Sequence, residues 1–154
     1  WADVLSEMNS ATGSMVDFQK SEEEGLVLET EDWSRLSFAG DEQDGTFRLL
    51  CRVRKGSLLL GARRLAEDPP PFDGEARETW KRDGTSGWLI RPDLEEGRWH
   101  EVTVYAYGDR LALDVDGRRQ SEVRGVPGPD AGRFTLEIPA GGAVDIRRLD
   151  RLVR

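Results

Sequence analysis

The run from Gly97 to Gly117, G-R-W-H-E-V-T-V-Y-A-Y-G-D-R-L-A-L-D-V-D-G, constrains the fold of this chain more than any other stretch. Two alternating segments, Trp99 to Tyr107 and Arg110 to Asp116, meet at Gly108-Asp109, and the second closes on Asp116-Gly117. Gly and Asp accept the positive φ angles that tight hairpin turns require, and the flanks alternate as pleated strands do. Leu111, Leu113 and Val115 fall on every second residue, so one face is buried and the other meets solvent or a neighbour. The expectation is an antiparallel hairpin from a β-sandwich.

The rest of the chain follows the same grammar. Strand-like runs cover 25–30, 34–39, 46–55, 57–65, 88–91, 118–123 and 133–138, with a closing strand from Ala143 onward. Counting the hairpin, that makes about ten short strands with turn residues at regular intervals, a spacing that argues for a sandwich or barrel. The opening segment, Trp1 to Lys20, has two readings. Trp1, Val4, Leu5 and Met8 fit helical spacing, and the same piece also reads as an edge strand and loop. Asp68 to Gly87, with Pro69-Pro70-Pro71, is a long irregular connection of the kind that often binds ligands.

At 154 residues the chain reads as one domain over 1–154, long enough to bury a core without staples. No run approaches the roughly 18 apolar residues of a membrane helix, so no membrane insertion is expected. The net charge of −8 opposes a phosphate backbone, which excludes nucleic acid from the expected partners. Cys51 sits on the apolar phase of its strand with Phe47, Leu49 and Val53, as a buried thiol would. A chain starting at Trp1 has lost its native start, so compartment is open, with the extracellular or periplasmic side favoured. High Arg and Gly with little Lys suits a GC-rich bacterial genome.

In the segments G-R-W-H-E-V and L-A-L-D-V-D-G the chain resembles the concanavalin A-like lectin/glucanase superfamily, and within it laminin G-like domains. It also resembles bacterial 3-keto-disaccharide hydrolase domains, whose closing strand has a counterpart in Val144-Asp145-Ile146-Arg147-Arg148-Leu149. The clear resemblance covers Gly87 to Arg154. It implies an all-β jelly-roll sandwich of two curved antiparallel sheets, with carbohydrate or protein ligands meeting the concave face or the rim loops. Fold alone assigns no activity.

Glycoside hydrolysis needs two carboxyl groups about 5–9.5 Å apart. The resemblance would supply them through the E-x-D-x-E strand of family-16 glycoside hydrolases, and no such strand occurs here. Asp114 and Asp116 share a face, but Asp116 belongs to a turn. The aromatic residues are the better lead. Trp99, Tyr105 and Tyr107 alternate against His100, Val102, Val104 and Ala106, and Trp80 and Trp88 flank the long connection. Sugar C–H faces stack on such rings. Arg48, Arg52 and Arg54 share the outward phase of one strand, and Arg63 would extend the row onto the next. They read either as a solvated face paired with carboxylates or as a groove for an anionic ligand.

The leading expectation is a non-catalytic carbohydrate-binding module using Trp80, Trp88, Trp99, Tyr105 and Tyr107 for stacking, with Arg52, Arg54 and Arg63 as polar anchors. A hydrolase-like enzyme and a protein-interaction module are the alternatives. No cofactor is expected from the lone His100. Calcium is left open because oxygen ligands abound, although Asp41, Glu42 and Asp44 lack an EF-hand pattern. Oligomeric state is not legible.

Overall fold

A computed structural model describes residues 2–3, 8–13, 17–21, 25–38, 44–65, 67–71, 78–82, 87–126 and 133–152. Asp41 and Glu42 of the acidic loop, positions 72–77 and 83–86 of the long connection, and 127–132 of the Gly/Pro turn lie outside them. So do Trp1, Val4, Leu5 and the side chain of Met8.

All the regular structure described is β. In chain order the strands are β1 (Ala2–Asp3), β2 (Met8–Gly13), β3 (Asp17–Ser21), β4 (Gly25–Glu29), β5 (Ser34–Phe38), β6 (Gly45–Lys55) and β7 (Leu59–Arg64). They continue with β8 (Lys81–Arg82), β9 (Trp88–Ile90), β10 (Trp99–Tyr107), β11 (Arg110–Val115), β12 (Arg118–Val123), β13 (Arg133–Ile138) and β14 (Ala143–Arg151). The described parts of the opening segment are strands, and the described part of the long connection contains one short strand, β8.

The strands form two antiparallel sheets. One is eight-stranded, with the path β12-β11-β10-β6-β14-β4-β3 and β1 added beside β14; the other is six-stranded, in the order β2-β5-β13-β7-β9-β8. The β10–β11 hairpin is in the register its sequence requires, with Tyr107 opposite Arg110. At Gly108-Asp109 only the glycine takes a positive φ (55°), as a type II′ turn needs. At Asp116-Gly117 both residues do (51° and 81°), as in type I′.

Alternation then places the core. Phe47, Leu49, Cys51 and Val53 of β6 point inward, as do Val102, Val104 and Ala106 of β10 and Leu111 and Leu113 of β11, with Val115 partly buried against them. From the facing sheet come Leu36, Leu60, Ile90, Phe134 and Leu136. The Phe47 and Phe134 rings stack across the layers at 4.3 Å, nearly parallel. Burying side chains of this size stabilises the fold by roughly 1.5–3 kcal/mol each.

One expectation is corrected. After Gly56 the chain leaves the eight-stranded sheet, so β7 does not pair with β6, and Arg63 does not extend the Arg48–Arg52–Arg54 row. Arg63 is buried, with a φ of 56°, and its guanidinium reaches Asp44 at 2.9 Å and the Gly108 carbonyl. Asp44 also accepts the Gly108 amide at 3.0 Å. Arg63 therefore ties the turn of one sheet to a strand of the other.

Candidate ligand-binding site

The outer face of the eight-stranded sheet follows from the same alternation. The register sets Trp99 opposite Arg52, and Arg52 opposite Asp145. The Arg52 guanidinium lies 4.7 Å from the centroid of the Trp99 ring and donates Nε and Nη2 to Asp145 Oδ2 at 3.0 and 2.7 Å. Arg54 Nε grips the other oxygen of Asp145 at 2.9 Å, and its Nη1 reaches Glu29 at 3.2 Å. Held on both sides, the Asp145 carboxylate is only 1% exposed although it stands on an outer phase. Burial acts against the charge of Arg54, but the hydrogen bond to Glu29 and the charge of Asp145 outweigh it and raise its pKa.

Farther along β10 the pattern repeats. Arg119 lies 5.5 Å from the Tyr105 ring centroid and bonds Asp114, while Tyr107 shares a 2.7 Å hydrogen bond with Thr46 Oγ1. Burial, together with the Asp114 carboxylate, pushes the Tyr105 phenol above its ordinary value. This phenol stays neutral at physiological pH, with its proton directed to Asp114. The face is thus a line of half-buried rings flanked by guanidinium groups, each held by a carboxylate.

The outer face of the six-stranded sheet is closed. Leu65 and residues 67–69 lie over it, and the carbonyls of Leu65, Asp68 and Pro69 accept bonds from Arg35 at 3.1, 3.1 and 2.7 Å. Arg64 donates to Pro69 O at 2.9 Å and to Glu137 at 2.8 and 3.1 Å. Glu137 also pairs with Arg35 at 3.0 Å and accepts from Thr135 at 2.7 Å. Space for this cluster comes from Gly61, where a Cβ would collide with Thr135 Oγ1 and crowd Glu137.

A third feature lies where β6 ends. The segment 91–98, entering β10, borders with the Gly56–Leu58 crossing a half-open cavity of about 240 Å³. Val53, Leu58 and Leu94 supply its apolar surface, Glu78, Asp93 and Glu96 its acidic one, and Arg91 a single cation. Its walls are pinned from behind. Gln120 donates to the carbonyls of Glu78 and Arg91 at 2.9 and 3.0 Å and accepts from the Asp93 amide at 2.8 Å. The Gly97 amide bonds Val53 O at 2.8 Å. His100 Nε2 accepts the Glu95 amide at 3.0 Å, which leaves its proton on Nδ1, 2.6 Å from Asp116 Oδ2. Partial burial works to raise the Asp116 pKa, but hydrogen bonds from His100 and the Glu101 amide prevail and hold it below the usual carboxylate range.

No family model matches the chain. Among curated proteins, human sex hormone-binding globulin is 47% identical over 38 residues, which is 25% of this chain and only 10% of that protein. Solved structures align over nearly the whole length. The carbohydrate-binding module CBM66 from Bacillus subtilis matches with a TM-score of 0.69 and 13% identity, over 96% of both chains. The fold is the concanavalin A-like jelly roll. The Bacillus licheniformis β-glucanase (TM-score 0.64, 10% identity, 96% of this chain and 92% of that one) has a similar structure. So does the VIP36 exoplasmic/lumenal domain in its Ca2+- and mannose-bound form (0.59, 12%, 96% and 84%).

Within the concanavalin A-like sandwich, the residues expected at a ligand site are divided. Trp99, Tyr105, Tyr107, Arg52 and Arg54 share the outer face of the eight-stranded sheet. Trp88 is partly buried against the core. Trp80 is itself a core residue, 4% exposed, whose indole N–H has no acceptor among the described residues. His100 is a structural clasp, and Asp114 and Asp116 are engaged by Arg119 and His100 rather than by each other. No three of the described His, Cys, Asp or Glu residues are grouped to hold a metal.

Sequence reasoning missed Asp145, Glu137 and the cavity. The signal for Asp145 was present as the one carboxylate in the apolar alternation Ala143-Val144-Asp145-Ile146, opposite an arginine-bearing strand. Nothing local marks the cavity, because its walls come from three separate stretches of chain.

Proposed function

We propose that this chain is a non-catalytic carbohydrate- or glycoconjugate-binding module of a larger bacterial protein. The observation that carries the reading is the line of half-buried rings on β10, Trp99, Tyr105 and Tyr107, set among fixed guanidinium groups. Aromatic faces accept sugar C–H surfaces, and hydroxyls bond to the polar groups beside them. The arginines are already paired with carboxylates, so an anionic ligand would have to displace Asp145 or Asp114. Neutral glycans meet no such competition. The similarity to a carbohydrate-binding module, a glucanase and a mannose-bound domain supports a sugar ligand.

A glycan array followed by calorimetry tests this. Binding to at least one saccharide class is expected, weakened by Trp99→Ala roughly tenfold, or about 1.4 kcal/mol. Failure to bind any class would overturn it.

The hydrolase alternative requires a carboxylate beside an arginine in an open pocket. Glu137, Arg64, Arg35 and Asp68 supply such a grouping, but Leu65 and residues 67–69 cover it and all four side chains are at most 1% exposed. The binding reading is therefore the better supported.

A further inference from the structure

We propose that the cavity beneath the 91–98 segment is a subsite for the terminal residue of a neutral glycan, a single pyranose-sized ring carrying vicinal hydroxyls. The inference rests on the carbohydrate-binding reading but places a contact away from the aromatic face, in walls to which that reading assigns nothing.

Size is the first argument. Drug-sized ligands occupy pockets of about 300–1,000 Å³. A half-open cavity of about 240 Å³ has room for one sugar ring, with any further units left outside it. The occupant is thus a chain end, whereas an open sheet face suits the interior of a chain.

The lining is the second. Val53, Leu58 and Leu94 offer an apolar surface for the C–H side of a ring. Glu78, Asp93 and Glu96 are exposed acceptors around it. These carboxylates do not form a metal-holding group. They are distributed along the wall, which suits donors spread around a ring's perimeter rather than a point charge at its centre. Ionised carboxylates only accept, so they select hydroxyl donors, and with three of them against the single cation Arg91 the lining as a whole disfavours uronic acids and sulfated sugars.

Preorganisation is the third. Two bonds with Gln120, one with His100 and one with Val53 O fix this segment from behind, and a third Gln120 bond holds the Glu78 carbonyl, none of them using the side chains that face the cavity. The ordering entropy of the loop is therefore not charged to the ligand, and a single ring can bind measurably.

The test is an NMR titration of the full chain with methyl glucopyranoside, methyl galactopyranoside and methyl mannopyranoside, alongside their β-linked or α-linked tetrasaccharides. The expected result is saturable shift changes at the amides of 91–96 and 56–58 with at least one monosaccharide glycoside. Asp93→Ala, an exposed side chain, is expected to weaken that binding about tenfold while leaving the rest of the spectrum unchanged. Shifts confined to β6 and β10 would overturn the subsite and leave the aromatic-face reading standing. An absence of shifts with every saccharide would overturn both.

Discussion

His100 and Asp116 show how much a single pair of side chains can decide. The Asp116 carboxylate is held below its ordinary value of 3.8 because it is bonded by His100 and the Glu101 amide in the folded state only. A carboxylate depressed on folding stabilises the fold above its unfolded pKa, and that contribution is lost as pH falls through the native titration. Denaturant unfolding followed from neutral to acidic pH should therefore show stability declining below about pH 4, with a smaller decline in Asp116→Asn. Cys51 lies at the opposite extreme. Burial, with a lesser push from Asp116, raises its thiol to about 12. Alkylating reagents at mildly alkaline pH should label it only after unfolding, which mass spectrometry can follow. Glu137 is the costliest side chain to remove. Truncation to Ala removes the buried counter-charge of Arg35 and leaves Arg64 only Asp68, 3.6 Å away, and urea denaturation should register a loss of about 3–5 kcal/mol.

At the level of elements, the hairpins were legible and the coverings were not. Leu111-Ala112-Leu113 and the two Gly/Asp turns specify β10–β11–β12 locally, because pleat and φ requirements act over a few residues. Arg35, Thr135 and Glu137 occupy outer phases of β5 and β13, which one-sided alternation reads as wet. They are dry because Leu65 and residues 67–69, distant in sequence, settle over them. The same long-range closure moved Arg63 into the other sheet and Trp80 into the core. The aromatic line on β10 was read correctly as a phase, but its guanidinium partners depend on β6, β12 and β14. Two glycines separate local from tertiary demand. Gly117→Ala meets open space and only a φ of 81°, so a loss of about 1–2 kcal/mol is expected from the backbone alone. Gly61→Ala adds a collision with Thr135 and Arg64, and thermal unfolding should place it well below Gly117→Ala.

For the whole molecule, charge and architecture combine to select ligands. The chain carries −8 overall, and the arginines of the outer face described above already have carboxylate partners. Long-range repulsion therefore meets any polyanion before contact. A heparin column at low ionic strength should not retain the protein, and binding of a neutral glycan should change little with salt. The cover over the six-stranded sheet has a different kind of consequence. Its grip on Arg35 and Arg64 is made mainly with peptide carbonyls from Leu65, Asp68 and Pro69. Every amino acid brings that same oxygen, so mutational drift at Leu65 or Pro69 leaves the latch intact. A display library diversified at those positions would vary the exterior of this scaffold while its hidden ionic knot stays closed.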